Sequence, residues 1–149
     1  MATAQFSGQY GHNMTLEVWS AWNRPDTASN SSTVNVQARL ITNGYASVWG
    51  VTADLTVTIN GVSAVEHPAI NIGTGSSQLI FARDYNVPHN SDGTKTVGIK
   101  ISVGLNAGGY GSSMVAFDLP LSNIPRASDI SVSTGTIGSA MTINISRKN

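Results

Sequence analysis

Apolar and polar residues alternate with a period of two along most of this chain, which confines it to strands with one dry and one wet face. Met14, Leu16 and Val18 alternate with Thr15, Glu17 and Trp19, and Val34, Val36, Ala38 and Leu40 alternate with Asn35, Gln37 and Arg39. Leu55, Val57 and Ile59 lead into Asn60-Gly61, a pair that tolerates the positive φ angles of a type I′ turn, so Val62 should open the returning strand. Leu79 and Phe81 point one way from a strand ending near Tyr85. Val97, Ile99, Ile101 and Val103 form the cleanest inward row, and Val115, Phe117, Leu119 and Leu121 the last. No segment carries a sustained helical stripe. The implied fold class is all-β: an antiparallel two-sheet β-sandwich, jelly-roll or immunoglobulin-like. Its core should hold Val36, Leu40, Val57, Ile59, Phe81, Ile99, Ile101 and Phe117.

Between the rows lie three polar segments. Residues 23–32 read as a loop near the first two strands, and Asn90-Ser91-Asp92-Gly93 as a turn in which Asn and Asp bond to nearby backbone. Residues 106–113 read as a glycine-rich loop displaying Tyr110. Around residues 122–128 proline interrupts the pattern, and fresh alternation follows in Ile130, Val132, Met141, Ile143 and Ile145. The expected organisation is a sandwich over residues 1–123, a linker over 124–128 and the truncated start of a second β domain over 129–149. That last piece is too short to bury a core of its own, so it should dock on another copy or be mobile.

Charged residues make up only 11% of the chain, so Ser, Thr, Asn and Gly must supply the wet surface. Lys+Arg and Asp+Glu are 8 each, which gives no basic field to attract nucleic acid or an anionic membrane. The absence of cysteine excludes disulfides, thiolate nucleophiles and cysteine zinc sites. No apolar run exceeds four residues, so no membrane insertion is expected. His12, His67 and His89 are isolated, with His89 expected as a solvated turn residue. No nucleophile elbow, phosphate loop or dinucleotide fingerprint occurs, and nothing singles out a catalytic pair among Glu17, Glu66, Asp54, Asp84 and Asp118. The expectation is a protein without enzymatic activity, cofactor or metal.

The aromatic residues carry more information. Trp49 shares the parity of Val51 and Leu55 and is expected in the core. Trp19 falls on the polar side of its strand, and Trp22 lies where that strand enters the 23–32 segment. Tyr45 follows the Asn43-Gly44 turn.

Several turn and linker motifs resemble those of a known family. They are the near-terminal Phe6-Ser7-Gly8, the stretch from Asp26 to Val34 (DTASNSSTV), the stretch from Val87 to Val97 (VPHNSDGTKTV) and, above all, Ile124-Pro125-Arg126-Ala127-Ser128. Together they resemble tail and receptor-binding proteins of streptococcal siphophages, which are built from serial β-sandwich domains. These motifs specify a scaffold, so no binding residue is carried over from the family. The resemblance implies a virion protein of the phage tail, made in the host cytoplasm; the start Met1-Ala2-Thr3-Ala4-Gln5 lacks the features of a signal peptide. Its partners would be other phage tail proteins, copies of itself as a homo-oligomer, and host cell-wall polysaccharide.

Against that background, the expected function is non-catalytic recognition of a host surface saccharide by aromatic stacking. The expected ligand-binding residues are Trp19, Trp22, Arg24, Asp26 and Asn30, with Tyr110 as a second platform. The competing expectation is a structural spacer or attachment domain of a tail fibre.

Overall fold

The alternating rows form ten antiparallel strands in a computed structural model that describes residues 2–125. The expected second-domain segment, 129–149, and the linker beyond Pro125 lie outside the described residues. The first sheet contains β1 (Ala2–Gln5), β2 (Met14–Trp19), β3 (Asn23–Asp26), β4 (Ser31–Thr42) and β8 (Ser77–Pro88). The second contains β5 (Val48–Ile59), β6 (Val62–Glu66), β7 (Ala69–Ile72), β9 (Thr96–Leu105) and β10 (Ser112–Pro120).

Each sheet is organised around one twelve-residue strand. β8 pairs along nearly all of β4, while β2 and β3 share the other side as two pieces of one arm. In the same way β9 takes one side of β5, and β6 and β7 together take the other. The inner rows meet as a dry core: Leu16, Val36, Leu40, Leu55, Val57, Ile59, Ile99 and Ile101 are all essentially sealed from solvent. One edge is closed where Ser113 Oγ donates to the Ala4 carbonyl (3.0 Å), joining β10 to β1. Across the other edge, Arg83 of β8 pairs with Glu66 of β6. Leu121 and Ile124 are also buried, so the chain stays on the sandwich through Ile124. Among the described residues no helix is long and apolar enough to cross a membrane.

The Asn60-Gly61 turn forms as its residues require, with φ of 53° and 82°, and β6 begins at Val62. Several expectations need correction. Residues 23–32 are a hairpin rather than a loop: β3 pairs with the start of β4 around a short turn. Trp49 is 64% exposed, not core. Gly50, at φ 69°, is an extra residue in β5 where the register with β7 shifts, and the slip turns Trp49 outward while Val48 remains buried. Leu79 and Phe81 do not point the same way. A register shift opposite Ala38 and Arg39 leaves Ile80 unpaired, so Ile80 and Phe81 are buried and Leu79 is 52% exposed. Phe117 is only partly buried, packed against the margin of the core.

Candidate functional site

The two half-buried indoles expected to matter lie where the first arm breaks. Trp19 pairs with Gln37 and Asn23 with Val34, so between those points the β2–β3 arm holds one residue more than β4. That extra residue resets the parity. Trp19 and Trp22, odd and even in sequence, therefore share the outer face of the sheet. Arg24 joins them there, because its cross-strand partner Thr33 belongs to the same outward row as Asn35, Gln37 and Arg39.

Asn35 holds the break together. Its backbone N–H donates to the Trp22 carbonyl (3.0 Å), and its Oδ1 accepts from the Ala21 N–H (3.3 Å) and from Gln37 Nε2 (3.0 Å). Its Nδ2 donates to Asp84 Oδ1 on β8 (3.0 Å), which carries the ladder across the sheet. Each indole is braced by an arginine. The Arg24 guanidinium lies 4.2 Å from the Trp22 ring centroid and that of Arg39 5.3 Å from Trp19, within cation–π range. Arg39 also donates to Glu17, a buried carboxylate on the same face.

The remaining expected residues are placed differently. Asp26 is exposed at the end of β3, where its Oδ1 accepts from the Ala28 N–H and starts the turn. Asn30 has a left-handed backbone (φ 51°), and its Nδ2 donates to the Asn90 carbonyl (2.9 Å) and the His89 carbonyl (3.4 Å). Its amide thus ties two turns together instead of facing the indoles. Tyr110 sits beyond the far end of β1 from Trp19, and it is partly buried against the core rather than displayed. Its loop is zipped to the preceding segment: Gly8 N–H donates to the Tyr110 carbonyl (2.8 Å), and Tyr10 N–H to that of Gly109 (2.7 Å). The structure brings Trp19, Trp22 and Arg24 together, leaves Asp26 at the margin, and separates Tyr110.

His89 is also corrected, from solvated to buried. The Gly93 carbonyl can only accept, so Nδ1 carries the hydrogen of that 2.7 Å bond, and in the neutral ring Nε2 accepts from the Ser32 hydroxyl at 2.7 Å. A serine against an imidazole resembles a nucleophile and its base. Ser32 is only 1% exposed, however, so the pair serves as a staple between β4 and the 90–93 turn.

The residues missed by sequence reasoning are Glu17, Asn35, Gln37, Arg39 and Asp84. All but Asp84 stand in outward rows of the alternation, which was the available signal. Their connection depends on cross-strand register, which the alternation leaves open.

No curated protein and no solved structure matches this chain. A family model does, over residues 3–149, and by that match the chain belongs to the family described as siphovirus protein of unknown function (DUF859).

Proposed function

We propose that this siphovirus protein contributes a non-catalytic adhesion module to the phage tail, one that binds saccharide on the surface of a Gram-positive host. The observation carrying this reading is the pairing of Trp19 and Trp22 on one wet sheet face, each oriented by an arginine and flanked by the Asn35–Gln37–Asp84 ladder. An indole presents a flat apolar surface to the C–H face of a pyranose, while amide and guanidinium edges bond to its hydroxyls. Covering half of each ring, about 75 Å² apiece, yields at most about 4 kcal/mol before ordering costs. That corresponds to millimolar affinity for one copy. Useful adhesion then requires several copies on one tail, where avidity adds a factor of ~10²–10⁴.

A second reading, a spacer domain without a ligand, draws on the same contacts: each indole already has an arginine of its own chain against it. Adsorption of a multivalent display to a panel of Gram-positive cell walls, paired with a glycan array, separates the two. The adhesion reading expects adsorption by the wild type and about a tenfold loss or more in Trp22→Ala, with unchanged thermal melting. Adsorption that is absent throughout favours the spacer. Adsorption unaffected by Trp22→Ala moves the site elsewhere.

A further inference from the structure

Arg39 has two sides. One lies against Trp19, and the other lines a shallow depression completed by Ile41, Thr42, Gly75, Ser76 and Ser77. Ile41 pairs with Ser77 and Arg39 with Leu79, so this depression lies on the same outer face as the indoles, at the opposite end of β4. Its rim is hydroxyl and backbone, Ile41 supplies a partly exposed apolar surface within it, and the half-exposed Leu79 flanks it as the cross-strand partner of Arg39. The rim is firmly built. Thr42 Oγ1 donates to the Gly73 carbonyl (2.6 Å), Ser76 N–H donates to Thr42 Oγ1 (3.0 Å), and Gly75 N–H donates to the Asn43 carbonyl (2.8 Å). From Asn35, opposite Trp22, to Thr42 is seven residues of strand, or roughly 23 Å at about 3.3 Å per residue.

We propose that the depression is a second subsite of the face that carries Trp19 and Trp22, and that the two form one track along β4 for an extended polysaccharide chain. This rests on the adhesion reading and adds the ligand's shape: several consecutive sugar units, read along the strand, rather than one terminal residue. Arg39 is the joint. Glu17 already balances its charge, which suits a hydroxyl-rich ligand better than an anionic one. Ile41 within a hydroxyl rim offers the same two kinds of contact, apolar and hydrogen-bonding, as the indoles beside their amide ladder.

The test uses cell-wall polysaccharide from a strain to which the displayed protein adsorbs, partially hydrolysed and separated by size. Titration calorimetry of the full chain should show affinity rising about tenfold from disaccharide to hexasaccharide fragments and then levelling. Ser77→Arg, which fills the depression, and Leu79→Ser, which removes the apolar side chain flanking it, should each abolish that rise while leaving disaccharide binding intact. Both positions are exposed, and thermal melting confirms the fold. Equal affinity for all lengths, or a length dependence untouched by both variants, overturns the track and leaves the adhesion reading standing. If the protein adsorbs to no strain and only to another protein, both fall.

Discussion

Replacing Asn35 with alanine tests whether one side chain holds the break that aligns the two indoles. Asn35 is 6% exposed and makes three side-chain hydrogen bonds. Ala21, Gln37 and Asp84 all lie where water can replace the lost bonds, so each bond counts only at its net value. The 3.3 Å bond from the Ala21 N–H is long, and with the bond from Gln37 it contributes about 1 kcal/mol. The bond to the Asp84 carboxylate is charge-assisted and adds about 1 kcal/mol. The expected cost is about 2 kcal/mol, a fall in Tm of roughly 5–10 °C for a domain of this size, read by calorimetry. Near-UV circular dichroism should change as well, because Trp19 and Trp22 lose their fixed relation. Asn35→Asp is the discriminating partner. It keeps the acceptor for Ala21 but sets a carboxylate against Asp84, so it should melt below Asn35→Ala at pH 7. A melting temperature for Asn35→Ala within about 2 °C of wild type, with an unchanged aromatic spectrum, would refute the role given to this residue.

Two further outcomes follow from the same contacts. His89→Ala removes two 2.7 Å bonds and leaves the Ser32 hydroxyl and Gly93 carbonyl without this partner; urea unfolding should show a loss of about 3 kcal/mol, against almost none for the exposed His12→Ala, and equal effects would argue against the staple. Burial holds the Tyr85 phenol above its ordinary value despite the opposing charge and hydrogen bond of Arg83. A raised folded value favours the protonated form, so this stability is full below about pH 10 and is lost as pH rises through the folded value. Tyr85→Phe should therefore flatten the alkaline limb of a Tm-versus-pH curve, and an unchanged limb would contradict the assignment.

Much of the sandwich was legible because a two-residue period is a direct record of which face each residue takes. The rows at 34–40, 55–59 and 97–103 are buried as the alternation requires. Turn chemistry was legible wherever backbone geometry restricts residue type, as at Asn60-Gly61. Polarity alone was a weaker guide. Residues 23–32 look like a loop, yet a strand needs only main-chain partners, and β4 supplies them to Asn23–Asp26. His89 was misread for a related reason. A residue beside a turn is solvated only if nothing packs over it, and here Ser32 and Gly93, far apart in sequence, close around its ring.

The deeper misses share a cause, which is that alternation predicts faces only while the register holds. It slips at Gly50, at Ile80 and between Trp19 and Asn23. Gly50 carried a signal, since an isolated glycine within a strand pattern marks a bulge, and heeding it would have placed Trp49 outside. The unbroken apolar run from Leu79 to Ala82 carried a subtler one, because strict alternation cannot accommodate it. The slip after Trp19 carried none, because Ser20 and Ala21 suit a regular strand as well as a bulged one. What defines it is Asn35, whose amide reaches across to occupy the break. The candidate site thus arises where local pattern is least informative. Two indoles of opposite parity cannot share a face of a regular strand, so bringing them together requires an irregularity, and only the partner strand can stabilise it.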